Sequence, residues 1–203
     1  MENHSTWTLV ILVALAIFYL VFSQLYRKNR QNRWMAELQS LKFEQFDKDI
    51  RSPMVRLFFP LYQIEFLKLN RYLLSDDSEK IQKQFQIVSK LARKKEQRQE
   101  LCTIAFEHYV YEENKEECDR YLKEIDSFEN SSLQAHAHQL YDILIEHKTD
   151  SLPAMEQSFQ KASPGEKTIL AYLLAKQYRF LDQEKKAQYY ESYLKKETSA
   201  CLE

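Results

Sequence analysis

Glycine occurs once and proline four times in 203 residues. Strand-rich folds draw on glycine for tight turns and bulges, so this scarcity argues against sheets. A single glycine also excludes the glycine-rich loops that cradle phosphates in P-loop and dinucleotide-binding proteins. Neither a GxSxG nor an HExxH motif occurs. The three cysteines, Cys102, Cys118 and Cys201, are odd in number and share no CxxC spacing. Neither a disulfide framework nor a zinc site is expected of them, and reduced thiols fit a cytosolic setting. Charge of one sign is lacking too: 29 Lys and Arg balance 30 Asp and Glu. A field that dominates nucleic-acid binding is therefore not expected. From these absences we expect no cofactor, no nucleic-acid partner and no catalytic site.

What is present favours helix. Charged residues make up 29% of the chain and are mostly Lys and Glu, which are good helix formers. The segment Trp7–Tyr26, WTLVILVALAIFYLVFSQLY, carries no charge. About 20 residues at ~1.5 Å each reach ~30 Å, so a single transmembrane helix is expected over 7–26. Trp7 and Tyr26 stand at its ends, where interfacial aromatics are favoured. The rival reading, a cleaved signal peptide, wants a basic start and a small-x-small cleavage site, which MENHST and Ser23-Gln24-Leu25 do not supply. Arg27, Lys28, Arg30 and Arg33 follow the segment. By the positive-inside rule they place the C-terminal domain in the cytoplasm and the N-terminus outside a cell membrane. These basic residues can also touch anionic head groups. The expected organisation is 1–6 outside, 7–26 in the membrane and 27–52 as basic flank and helical stalk. A helical domain over 53–197 and a tail over 198–203 complete it.

Beyond the break at Arg51-Ser52-Pro53, apolar-striped segments alternate with short polar turns. Helices are expected near 54–74, 78–92, 96–112, 115–128, 132–147, 152–161, 165–181 and 184–197. Ser163-Pro164-Gly165-Glu166 is the clearest start signal: Ser163 caps, Pro164 fits the first turn and Glu166 completes a capping box. The helices pair, and one frame recurs. Tyr109 precedes Cys118 and Tyr121, and Tyr178 precedes Ala187 and Tyr190 at the same spacings. Tyr72 precedes Ile81 and Phe85, while Leu144, Ala154 and Phe159 keep the frame with Ala154 one residue late. A long residue thus closes helix A and a smaller or aliphatic one opens helix B, as close-packed helical hairpins require. An irregular helical bundle is the alternative.

In this frame the sequence resembles the tetratricopeptide-repeat family over roughly residues 54–197. Leu174, Ala175, Tyr178, Ala187 and Leu194 occupy the family's large, small, aromatic, small and apolar positions. The family's small residue at the helix A crossing is Phe106 in the second copy and Leu69 in the first, and its turn glycine is absent. The resemblance implies an α-solenoid of about four hairpins whose concave face takes a peptide or helix from another protein.

Few residues carry obvious chemistry. His136 and His138 are two apart on an expected helix and so point to different faces. His108 and Tyr109 near Cys118 could form a small site, but a packed helical histidine is the simpler reading. The basic run Lys90, Arg93, Lys94, Lys95 and Arg98 precedes an acidic stretch containing Glu112, Glu113, Glu116 and Glu117. Together they are the candidate partner surface, a dipolar strip that would orient a charged peptide. The alternative is ordinary solvated helix charge. The expected function is a membrane-anchored interaction module. A structural accessory subunit of a membrane complex and an enzyme with an unrecognised helical site are the alternatives.

Overall fold

The computed structural model describes the backbone of residues 2–200 and the side chains of residues 12–196. Among the described residues every regular element is a helix, as expected. The order is α1 (Glu2–Gln39), α2 (Phe43–Ile50), α3 (Pro53–Phe58), α4 (Leu61–Leu74), α5 (Ser78–Leu91) and α6 (Lys95–Tyr111). Then come α7 (Lys115–Asp126), α8 (Ser131–Leu144), α9 (Leu152–Lys161), α10 (Pro164–Phe180) and α11 (Glu184–Ala200). From α5 onward the bounds follow the expected ones within a few residues. The helix expected over 54–74 is instead two. Pro60 holds Phe59 extended, at φ −115° and ψ 139°, and itself stands before the first turn of α4.

The expected transmembrane helix requires correction. Among the described residues, no helix is long and apolar enough to cross a membrane. Side chains 7–11 of the expected span lie outside the described residues. The described apolar part of α1 runs from Leu12 to Tyr26 and stops at Arg27-Lys28. Beyond Tyr26 the same helix joins a protein core.

The chain divides into two compact units, Met1–Lys94 and Lys95–Glu203. In the first, Trp34 and Leu38 of α1 pack with Phe46 and Ile50 of α2, Val55 and Phe58 of α3, Phe59 and Ile64. Trp34 is fully buried, its ring centroid 4.8 Å from that of Phe59. Residues 27–52, expected as flank and stalk, therefore hold half of this core. α5 packs on α4, where Gln84 donates from Nε2 to the Glu65 carbonyl at 2.8 Å.

In the second unit α6 packs on α7 and α8, α8 on α7 and α10, and α10 on α9 and α11. Helix-on-helix stacking of this kind is how solenoid repeats bury a core that no single hairpin encloses. The frame read from the sequence appears as ring geometry. Tyr109 stacks on Tyr121 with centroids 5.9 Å apart, and Tyr178 stacks on Tyr190 at 5.9 Å. Cys118 and Ala187 are fully buried, whereas Ala154 is exposed and Leu152, Met155 and Phe159 face inward. The third copy is displaced by its longer turn.

The turns repeat too. Asp77 N–H donates to the Tyr72 carbonyl (3.4 Å) and Asp76 N–H to that of Leu73 (3.3 Å). Asn114 and Glu113 do the same to Tyr109 and Val110, and Gln183 and Asp182 to Tyr178 and Arg179. Each pair is a Schellman closure with its penultimate residue left-handed. Asp76, Glu113 and Asp182 take φ of 52°, 54° and 55°. No glycine fills these places. The next residue then starts the following helix: Asp77 accepts from Lys80 N–H, and Asn114 from Glu117 N–H. An earlier copy, unread in the sequence, precedes these. Lys42 N–H donates to the Glu37 carbonyl at 2.8 Å, Leu41 sits at φ 53°, and Phe46 and Ile50 are buried behind it.

Candidate interaction surface

The A helices of the second unit, α6, α8 and α10, bring together side chains far apart in sequence. The Glu107 carboxylate of α6 lies 3.9 Å from Nε2 of His136 on α8. Burial holds the Glu107 carboxyl above the usual carboxylate range, and His136 opposes that shift. One turn further, Tyr111 meets the edge of Tyr172 on α10 at 5.5 Å. Lys176 Nζ donates to Glu113 at 2.7 Å and stands 5.9 Å from the Tyr172 ring centroid. Tyr111 is still 45% exposed. The face thus offers two tyrosine rings beside a partly desolvated acid.

On the other side of these helices the polar groups are spent on the fold. Tyr141 of α8 donates to Asp119 of α7, and Tyr178 of α10 to Glu156 of α9. Both bonds span 22 residues, the same link between one hairpin and the next. Carboxylate partners and burial push both phenols upward. Lys115 reaches Glu146 at 2.6 Å.

The expected partner surface is divided. Lys90, Arg93 and Lys94 belong to the first unit, and Lys95, Arg98 and the acids to the second. Arg98 forms a two-pronged ion pair with Glu124, and Lys95 pairs with Glu129 at 3.1 Å. Glu113 pairs with Lys176, and Glu117 with Arg120 at 2.9 Å. Glu116 and Glu117 occupy the first turn of α7, where the helix dipole favours acids. Glu112 and Glu116 remain exposed without an ion pair among the described residues.

The basic flank divides as well. Arg30 pairs with Asp49 at 2.8 Å, and Arg33 with Glu37 and Asp49 at 2.8 and 2.9 Å. Arg27 and Lys28 stay exposed and make no ion pair among the described residues. The histidines diverge as their spacing requires: His136 faces Glu107, and His138 reaches Asp126 at 2.8 Å. The His108 ring meets its neighbour Tyr109 at 5.0 Å. Burial pushes the Cys102 and Cys118 thiols up to about 12, which leaves no ready thiolate. No cluster of three His, Cys, Asp or Glu among the described residues is placed to hold a metal ion.

No family model, curated protein or solved structure matches the chain. The tetratricopeptide resemblance therefore rests on its residues alone. Sequence reasoning missed the Glu107–His136 and Tyr111–Tyr172 pairs. Neither pair has a motif, because each joins different helices. The recurrence of the frame at Tyr109, Leu144 and Tyr178 was the signal that could have placed them on one face.

Proposed function

We propose that the chain is a membrane-associated, tetratricopeptide-like interaction module that takes a peptide segment of another protein on the α6, α8 and α10 face. The observation that carries this is the grouping of Tyr111, Tyr172 and Glu107 on one partly exposed face. Aromatic rings beside a half-exposed carboxylate suit a basic side chain, which gains cation–π attraction and an ion-pair partner. Arg98 and Lys95 are already paired, so we assign the partner to this face rather than to the dipolar strip.

Membrane association rests on the apolar end of α1. Leu12, Leu15, Phe18, Leu20 and Leu25 are among its exposed large apolar residues. At ~100° per residue they point to several sides, so a single protein groove would leave some of them wet, and lying in a lipid surface covers more of them. Arg27 and Lys28 then meet anionic head groups.

A photo-crosslinking residue at Tyr111 of the full-length protein, in its native membrane, tests the partner. Adducts should carry a polypeptide with Lys or Arg near the attachment point. They should fall when Glu107→Gln and Tyr172→Ala are introduced. Adduct yield indifferent to both substitutions would move the partner off this face.

A further inference from the structure

Phe58 of α3 is buried against the apolar part of α1. Its ring centroid lies 4.9 Å from Tyr26, 6.0 Å from Phe22 and 6.2 Å from Tyr19. Ser23, small and buried, sits on the same stretch and bonds back to the Leu20 carbonyl at 2.9 Å. Tyr19 precedes the basic pair Arg27-Lys28 by roughly 12 Å of helix. The short helix α3 therefore lies alongside the last turns of the apolar segment, on its apolar side of the basic pair.

Val55 and Phe58 are the inward residues of α3. The adjoining face of α3 is apolar as well. Met54 and Leu57, three apart, are exposed, and so is Leu61, the first residue of α4 past Pro60. Leu57 is 67% exposed, one of the most exposed large apolar side chains among the described residues. Arg51 and Arg56 stand beside these residues and are exposed. A set of exposed apolar side chains edged by arginines has the character of an interfacial amphipathic element.

We propose that α3 is a second lipid-contacting element, and that Met54, Leu57 and Leu61 insert into the same bilayer as α1. This rests on the membrane association proposed for α1. Three features point to lipid as the occupant: continuity with a segment apolar on several sides, the level of α3 along α1, and the arginines at its edge. The first unit is thereby laid on the membrane by two adjoining elements. It does not hang from a stalk.

The test uses full-length protein reconstituted in phosphatidylcholine vesicles containing phosphatidylglycerol. A benzophenone amino acid replaces Leu20, Met54, Leu57 or Leu61, one at a time, and adducts are read by mass spectrometry. Lipid adducts at Leu57 and Met54 in yield comparable with those at Leu20 are expected. Lipid adducts at Leu20 with none at 54, 57 or 61 would overturn the role of α3 and leave the α1 reading standing. Adducts to a second copy of the chain at Leu57 would overturn it in favour of a self-association surface. An absence of lipid adducts at Leu20 would remove the α1 reading and this proposal with it.

Discussion

At the scale of single residues, small side chains at helix crossings and ion pairs within hairpins make different demands. Ala187 is fully buried on α11, three residues before Tyr190, which stacks on Tyr178. Ala187→Leu forces methylenes into a filled crossing and should cost about 1–3 kcal/mol. Cys118→Ala removes one sulfur from the matching place and should cost less. Thermal melts of the two variants, followed by circular dichroism, check the order. Equal shifts would mean that the two crossings are not equivalent. Arg98 and Glu124 join α6 to α7, and the guanidinium holds the Glu124 carboxyl below its usual range. A lowered folded value means stability that is present above the unfolded carboxylate value, ~4.3, and lost as pH falls through the folded one. Glu124→Gln should therefore cost about 1 kcal/mol at neutrality. That difference should shrink as the medium becomes more acid than the unfolded value. Paired denaturant titrations at neutral and acid pH measure it, and a pH-independent difference would sever the link to this ion pair.

At the scale of elements, the hairpin turns carry strain that the composition dictates. With one glycine in the chain, left-handed positions fall to Leu41, Asp76, Glu113, His147 and Asp182. An L-residue there costs roughly 1–2 kcal/mol, and Asp tolerates it better than Leu. Leu41 is exposed, so its side chain contributes little packing. Leu41→Gly should raise stability by about 1 kcal/mol, with a smaller gain for Asp182→Gly. A lowered melting temperature for Leu41→Gly would show that the turn is not strained as its φ implies. The helix starts were legible because they depend on neighbours a few residues away. Ser163 and Glu166 form the expected capping box, and Asp77 and Asn114 cap from turns recognised as turns. The break at Phe59 went unread although Pro60 marks it, because the surrounding apolar stripe runs through both helices.

At the scale of the whole molecule, the division at Lys94 and Lys95 separates two cores. Residues 95–203 should fold alone, with strong helical dichroism and a cooperative melt, because α6 to α11 bury one another. A fragment starting at residue 50 lacks Trp34, Leu38 and Phe46, which help fill the first core. Hydrogen exchange in that fragment should be fast over 53–74 and remain slow over 101–125. Full protection over 53–74 would mean that α1 and α2 are dispensable to the first unit.

The sequence by itself determined the all-helical class, most helix bounds and the hairpin frame, because capping, periodicity and glycine scarcity act over short spans. It also put Tyr109 and Tyr121, and Tyr178 and Tyr190, at matching places in the frame, and the structure shows these rings stacked. Only the tertiary structure decided where α1 ends its apolar exposure. Trp34 reads locally as part of a polar stalk, and burial against Phe46 and Phe59 makes it core. Arg30 and Arg33 read as flanking charge until Asp49, many residues on, neutralises them. The same holds for Glu107 beside His136 and for Phe58 beside Tyr26. Contacts between helices depend on how whole elements pack, and no spacing within one element encodes which neighbour arrives.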